Sequence, residues 1–202
     1  MNLLPALLSQ IATQHWSEWI AVSCAILYLV LAARGNPWCW AVGMTGCAFW
    51  AYAAFEIYGL YIDGGLQLFY IGISFLGFYK WKYGGSGGEE LPVSTLPLKY
   101  HIAIWIGGIA LSLLVGAIFD SYTDATAPFL NAFPTVFSVL TTFMAIWKKL
   151  ENWLYWLLID TVYVYLYWSQ GGYLFVLLFF IYLVMAVIGF LSWKKQFSQQ
   201  VI

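Results

Sequence analysis

The sequence predicts an all-α integral membrane protein with seven transmembrane helices. Of its 202 residues, 63% are hydrophobic, 21% aromatic and only 8% charged, and a soluble domain of this size could not bury so much apolar surface. The apolar residues form runs of about 20, the length that an α-helix needs to cross the hydrocarbon core of a bilayer. We therefore expect the lipid bilayer as a partner, and neither nucleic acid nor a cofactor.

Each apolar run is bounded by polar or turn-forming residues. The seven runs cover approximately residues 18–33, 38–55, 59–79, 101–119, 128–147, 151–168 and 173–193. After the first run Arg34–Pro37 turns the chain, and Gly84–Glu90 with Pro92 and Pro97 predicts the longest flexible linker. Residues 1–17 lack the basic region and the cleavage site of a signal peptide, so we interpret them as a short interfacial or disordered lead-in.

The basic residues predict the orientation in the membrane. With seven spans, all eight fall on one side, which the positive-inside rule identifies as cytoplasmic. They are Arg34, Lys80, Lys82, Lys99, Lys148, Lys149, Lys194 and Lys195. Five acidic residues fall at the outer face: Glu18, Glu56, Asp63, Asp120 and Asp124. The sequence therefore predicts an N-out, C-in arrangement.

An internal repeat predicts how the helices are grouped. Asn36–Trp40 (NPWCW) resembles Asn152–Trp156 (NWLYW), and Gly77–Lys82 matches Gly189–Lys194. Two parallel three-helix repeats joined by a linker helix, a 3+1+3 arrangement, would explain this order. The predicted sections are a lead-in (1–17), repeat 1 (18–83), a linker with the fourth span (84–119), repeat 2 (120–195) and a cytoplasmic tail (196–202). In this alignment the counterpart of Asp160 is Met44.

Three predicted helices carry polar side chains at helical spacing along one face. The three sets are Trp156, Asp160, Tyr163 and Tyr167; Asn131, Thr135, Ser138 and Thr142; and Asp63, Gln67, Tyr70 and Ser74. Lipid penalises such faces, and an ionisable residue near the middle of a span usually marks a functional path. If the three faces converge, they line a cavity that suits a ligand with a flat ring and several hydroxyls, such as a nucleoside.

Structural roles compete with these functional interpretations. Serine and threonine hydroxyls in membrane helices often bond to their own backbone, which applies to Ser74, Ser138 and Thr142. The tyrosines could pack between helices, Asn131 could cap a helix, and Gln67 or Asp160 could serve a helix–helix hydrogen bond. Four tryptophans near span ends are typical of an interfacial belt: Trp38, Trp81, Trp147 and Trp193.

The residue patterns of enzymes and metal sites do not occur. The sequence contains no GxSxG, no HExxH and no glycine-rich phosphate loop before a lysine. His15 and His101 lie near predicted span ends, and Cys24, Cys39 and Cys47 have no metal-ligand spacing, so we interpret the thiols as small core residues. Acid–base catalysis by Asp160 with Asp63 would require two carboxylates whose predicted depths differ.

Several segments resemble the PnuC-type vitamin transporters. Gly65–Tyr70 and Gly77–Trp81 resemble the third span of that family, and Glu151–Trp156 followed by Asp160, Tyr163 and Tyr167 resembles the sixth. The fifth span is similar at Phe129–Phe133 and Ser138, and the C-terminal end at Gly189–Lys194. The chain departs from the family at Thr142, where a large amide is expected, and at Asn131, where an acid is common.

The resemblance implies a fold similar to that of the SWEET sugar transporters, in the inner membrane of a bacterium. It also implies passive uptake of nicotinamide riboside, trapping by a cytoplasmic nicotinamide riboside kinase, and a homotrimer. Gln67 and Asn131 would bind the carboxamide or ribose hydroxyls, and Asp160 would accept from the hydroxyls or offset the pyridinium charge. Trp50 and Tyr70 would stack on the ring, with Thr135 and Tyr163 also lining the substrate site. The candidate gate or lining residues are Trp40 and Trp156.

Three alternatives remain open from the sequence. The substrate could be another vitamin, thiamine or riboflavin. The chain could be a substrate-capture subunit of an ATP-driven complex, although it contains no ATPase motif of its own. Transport could also be coupled to protons through Asp160.

Overall fold

The chain folds into helices that follow the predicted apolar runs. The computed structural model describes residues 3–58, 61–122 and 128–200, and the side chains of these residues apart from 3 and 61–63. Its helices are α1 (Leu3–Thr13), α2 (Trp16–Ala33), α3 (Cys39–Tyr52, continuing as a π-helical turn Ala53–Ile57), α4 (Tyr61–Tyr83), α5 (Leu98–Tyr122), α6 (Pro128–Ile146), α7 (Asn152–Ser169) and α8 (Tyr173–Gln200). The described residues contain no strand beyond an isolated bridge between Ser94 and Lys149. The all-helical prediction is confirmed.

Helices α2 to α8 correspond to the seven predicted runs, and α1 is additional. Four of the described helices, α2, α5, α6 and α8, are long and apolar enough to cross a membrane. The α-helical part of α3 has only 14 residues, and α7 carries Asn152, Asp160 and several tyrosines, which lower its apolar character. The crossing of the membrane by all seven helices remains a prediction.

The chain forms two compact units. The first contains Met1–Pro92 and Leu191–Ile202, and the second contains Val93–Phe190. The end of α8 therefore belongs to the first unit, whereas the sequence places it in repeat 2. The grouping into two three-helix repeats stays a prediction.

A cluster of buried tryptophans from the start of α3, the end of α4 and the C-terminal part of α8 packs in the core of the first unit. The Trp81 ring packs edge-on against Trp40 at 5.6 Å and against Trp193 at 5.5 Å between centroids. The Trp193 indole also donates to the Ala32 carbonyl at 2.8 Å. Trp81 and Trp193 are each only 1% exposed, so their assignment to an interfacial belt is wrong. Indole rings near a helix end can also pack inward, and here Trp81 packs against both Trp40 and Trp193.

The other two tryptophans of the predicted belt are exposed. Trp38 is 59% and Trp147 is 43% exposed, as residues at the headgroup level should be. Both lie in the turns that precede or follow a helix. Their exposure fits the predicted interfacial belt, whose position in the membrane stays a prediction.

A hydrogen-bonded cap fixes the start of α2. The Glu18 carboxylate accepts from the His15 backbone N–H at 2.7 Å and from the Tyr58 hydroxyl at 2.8 Å. The His15 ring accepts from the N–H of Ser17, which completes a capping box. Desolvation, the hydrogen bond to Glu18 and the Glu18 charge raise the pKa of the Tyr58 phenol. Glu18 is therefore a buried cap of α2. Its position at the outer face of the membrane stays a prediction.

Defined hydrogen bonds hold both ends of the predicted flexible linker. In the first unit the Leu91 N–H donates to the Trp81 carbonyl at 2.9 Å. In the second unit both Glu151 carboxylate oxygens accept from the Leu96 N–H at 3.1 Å, and the Lys149 ammonium donates to the Ser94 hydroxyl at 2.9 Å. The glycines predicted a flexible segment, but hydrogen bonds of the Leu91 and Leu96 backbone hold both of its ends against helices of the protein.

Candidate ligand site

Helix α7 places one carboxylate inside the second unit. Asp160 is only 4% exposed. Its neighbour Ile159 is fully buried in a cluster with Phe137, Met144 and Tyr155, and this packing fixes the face that α7 turns inward. No described residue forms a hydrogen bond with the Asp160 carboxylate. A buried acid without a protein partner is costly in a membrane helix, so Asp160 is the strongest candidate for ligand contact.

Aromatic rings from α7 and α8 form a stack beside the same helix face. The Tyr163 ring lies nearly parallel to Phe179 at 4.6 Å between centroids. Tyr167 stacks on Phe179 at 5.5 Å and on Phe175 at 4.8 Å. The predicted stripe of α7 is thus an acid followed by stacked rings. Such a surface can accept a flat, positively charged ring.

The sequence interpretation did not identify Phe175 and Phe179 as part of this stack. They lie one helical turn apart on α8, so both belong to one face of the helix. Tyr163 and Tyr167 on α7 have the same spacing of four residues, and this match could have predicted from the sequence that the two pairs stack on each other. In the surrounding sequence, where most residues are apolar, no single phenylalanine is distinctive.

The hydroxyls of α6 bond mainly to their own helix. Thr135 donates to the Asn131 carbonyl at 2.9 Å, Ser138 to Pro134 at 2.7 Å and Thr142 to Ser138 at 2.8 Å. This confirms the structural alternative for Ser138 and Thr142. Because each hydroxyl proton is already used, Thr135 can only accept a hydrogen bond from a ligand.

Thr141 is a polar residue of α6 that the stripes omitted. It is fully buried, and its hydroxyl has no partner among the described residues. Asn131, at the start of the stripe, is only partly buried. Among the described residues of α6, Thr141 therefore has a buried hydroxyl that is still able to donate a hydrogen bond.

The remaining predicted substrate residues lie in the first unit. Gln67, Tyr70 and Trp50 are all partly buried, on α4 and α3. No described residue bonds the Gln67 side-chain amide. Ser74, one turn beyond Tyr70, donates to the Tyr70 carbonyl at 2.7 Å, as its structural alternative predicted. Convergence of these residues with the α6 and α7 faces on one cavity remains a prediction.

Two acids named from the sequence lie outside the described residues. Asp124 belongs to the segment between α5 and α6, and the Asp63 side chain belongs to the start of α4. Within residues 3–58, 61–122 and 128–200, no group of three or more His, Cys, Asp or Glu side chains could hold a metal ion.

The two predicted gate tryptophans differ in their surroundings. Trp40 is buried between Tyr28 and Trp81, and its ring fills the space above Gly77. Trp156 is partly buried and packs against the hydrophobic cluster that contains Phe137 and Ile159. The ring that packs on Gly189, the counterpart of Gly77, is Trp153. By this contact Trp153 is the counterpart of Trp40, which replaces the predicted pairing of Trp40 with Trp156.

Four described helices that are long and apolar enough to cross a membrane indicate a multi-pass membrane protein. The buried Asp160 beside the aromatic stack is its candidate ligand site. The family model described as "Nicotinamide mononucleotide transporter" matches residues 15–195. The chain belongs to this family of transporters, so it is not an enzyme. The resemblance read from the sequence is confirmed.

The similarity to individual relatives covers most of the chain. The nicotinamide riboside transporter PnuC of Neisseria mucosa is 22% identical, over 89% of this chain and 72% of that protein. The nicotinamide riboside transporter PnuC of Escherichia coli (strain K12) is 23% identical, over 88% of this chain and 84% of its own length. A crystal structure of the vitamin B3 transporter PnuC has the same fold, with a TM-score of 0.68, 20% identity and coverage of 98% of this chain and 88% of that one.

Proposed function

We propose that this protein carries nicotinamide riboside across a bacterial inner membrane by facilitated diffusion. Its relatives named as nicotinamide riboside transporters support this assignment. The observation that carries it is the buried, unpartnered Asp160 next to the stacked rings of α7 and α8. Nicotinamide riboside combines a positively charged pyridinium ring with ribose hydroxyls, and this pair of features needs an acid beside aromatic faces.

Each side chain of the site has a role that its chemistry allows. Asp160 offsets the pyridinium charge or accepts from the ribose hydroxyls. Gln67 and Asn131 bind the carboxamide or the ribose, and Thr135 accepts a hydrogen bond. The aromatic residues Trp50, Tyr70 and Tyr163 stack on the ring or pack around it, and Trp40 and Trp156 line or gate the inner end.

The proposed membrane arrangement follows from the charge pattern and the repeat. Seven helices cross the membrane with the N-terminus outside, and two parallel three-helix repeats flank a linker helix. Rocking of one repeat against the other exposes the site alternately to each side. A cytoplasmic nicotinamide riboside kinase traps the substrate, and the transporter assembles as a homotrimer.

Uptake of radiolabelled nicotinamide riboside into proteoliposomes tests the function. We expect saturable uptake by the purified protein alone, without an ATPase partner and without response to an imposed pH gradient. Unlabelled thiamine and riboflavin should compete weakly. No saturable uptake, or full competition by thiamine or riboflavin, would contradict the substrate assignment.

Asp160→Asn tests the site itself. Loss of a charge-assisted contact costs about 1.5–3 kcal/mol, so the Kd for nicotinamide riboside should rise about 10- to 100-fold. The matched control is Thr161→Val on the adjacent, exposed position, whose hydroxyl bonds only the Leu157 carbonyl. Binding by Asp160→Asn that equals the control, with both proteins intact on gel filtration, would exclude Asp160 from the site.

A further inference from the structure

A pocket of about 400 Å³ lies in the first unit where α2 ends. Its lining is the turn Arg34–Trp38 together with Lys82 from the last turn of α4 and Glu90. None of these residues belongs to the polar stripes of the transport site. The pocket therefore needs an explanation of its own.

Backbone and side-chain hydrogen bonds define the conformation of the turn. Gly35 has a φ of +74°, which lets its N–H donate to the Ala32 carbonyl at 2.9 Å while the Asn36 N–H donates to Leu31 at 3.0 Å. The Asn36 side-chain oxygen accepts from the Trp38 N–H at 3.0 Å. The Asn36 side chain therefore has its NH2 group left to offer to the pocket, and that group is a donor.

The charged groups of the pocket favour an anion. Arg34 and Lys82 carry two positive charges against the single negative charge of Glu90, and no described residue forms an ion pair with any of the three. The Lys82 ammonium lies 5.7 Å from the Trp38 ring centroid and 5.6 Å from that of Phe78. These rings hold the cation in place without neutralising it. The result is a positively charged cradle of hydrogen-bond donors.

The aromatic rim indicates that the anion belongs to a lipid. Trp38, Tyr79 and Tyr83 are all exposed around the end of α4, and exposed aromatic residues at span ends lie at the headgroup level of a bilayer. Basic pockets beside helix ends at this depth suit anionic headgroups. A soluble phosphate ester needs the cations but gains nothing from the exposed rings.

We propose that the pocket formed by Arg34–Trp38, Lys82 and Glu90 binds the phosphate of an anionic phospholipid. Arg34 and Lys82 contact the phosphate oxygens, the Asn36 amide donates to them, and the acyl chains run along the exposed aromatic side chains. Bound lipid would tie the end of α2 to the end of α4. The pocket shares no lining residue with the proposed transport site, so lipid binding can be measured without the transported substrate.

Native mass spectrometry of the full chain with phosphatidylglycerol tests the proposal. A variant with Arg34→Gln and Lys82→Gln should bind the lipid about 25-fold more weakly, because it loses two cations that contact the phosphate and each contributes about fivefold to affinity. The control carries Lys194→Gln and Lys195→Gln, which remove the same charge at exposed positions outside the pocket. We expect the control to change affinity by less than about twofold.

A second variant and two competing ligands complete the test. Glu90→Gln removes the only acid of the pocket and should strengthen binding, and no change in this variant would overturn the proposal even if the double variant fails to fold. Equal losses in the double variant and its control would also overturn it, as would equally tight binding of phosphatidylcholine. Full displacement by millimolar glycerol 3-phosphate would overturn the lipid assignment in favour of a soluble phosphate ester.

Discussion

Gly77→Ala should destabilise the first unit by filling the space that the Trp40 ring occupies. A methyl group built on Gly77 would overlap three atoms of the Trp40 indole, far closer than any real contact. The ring cannot withdraw easily, because Tyr28 lies against it at 6.0 Å and Trp81 at 5.6 Å between centroids. Overpacking of this kind costs about 1–3 kcal/mol.

Gly72→Ala on the same helix is the matched control. An added methyl group at Gly72 meets nothing within 4 Å, so this variant shows only the helix-propensity gain of about 1 kcal/mol that alanine has over glycine. Both variants share that gain. The difference between them, about 1–3 kcal/mol, isolates the clash with Trp40.

Thermal melting of the detergent-solubilised protein measures this difference. For a chain of this length, about 1 kcal/mol shifts the Tm by 2–4 °C, so Gly77→Ala should melt about 2–12 °C below Gly72→Ala at the same scan rate. Combining Gly77→Ala with Trp40→Phe should recover part of the loss, because the smaller ring makes room. If Gly77→Ala melts at or above Gly72→Ala, the packing described for Trp40 is wrong.

Two further substitutions probe the second unit. Phe179→Leu removes the ring that stacks on Tyr163 and Tyr167, and it should weaken nicotinamide riboside binding about 2- to 10-fold in calorimetry, the range of one aromatic pair. Phe180→Leu, at a position that is 60% exposed, is the control and should leave the affinity unchanged. Equal losses of affinity in the two variants would exclude the aromatic stack from the site. Glu151→Gln replaces a charged acceptor of the Leu96 N–H by a neutral one, and it should lower the free energy of unfolding by about 1 kcal/mol, which is a Tm loss of about 2–4 °C. Hydrogen exchange at the Leu96 N–H should become faster. Glu89→Gln, an exposed position, is its control, and slow exchange at Leu96 in both would contradict the role of Glu151.

The helices could be predicted because their signal is repeated along each of them. Every apolar run of about 20 residues carries many independent indications of burial in lipid or protein, and start and stop residues such as Pro128 bound it. Helix α1, with 11 residues, lacks such a length of apolar sequence, and its helical state was not predicted. Leu4 and Leu8 are exposed, so local helix propensity contributes more to this helix than packing of these two side chains.

Side-chain surroundings were harder to predict because they depend on contacts between distant segments. Trp38 and Trp81 each lie near a span end, yet one is exposed and the other is buried among indole rings. Sequence position alone cannot distinguish the two cases. The docking of Leu96 on Glu151 likewise joins residues far apart in the chain, and nothing in the glycine-rich composition indicated it.

Two tryptophan–glycine contacts identify the residue of the first unit that corresponds to Asp160. Trp40 packs on Gly77 and Trp153 packs on Gly189, and each tryptophan is the second residue of its helix. Seven positions further along each helix stand Cys47 and Asp160, so Cys47 replaces Met44 as the counterpart of the acid. A thiol and a carboxylate are unlike in charge, so the two predicted repeats differ at these matching positions. We therefore expect the charge of Asp160 to serve the proposed ligand, since a cationic ring beside Tyr163 would be stabilised by it.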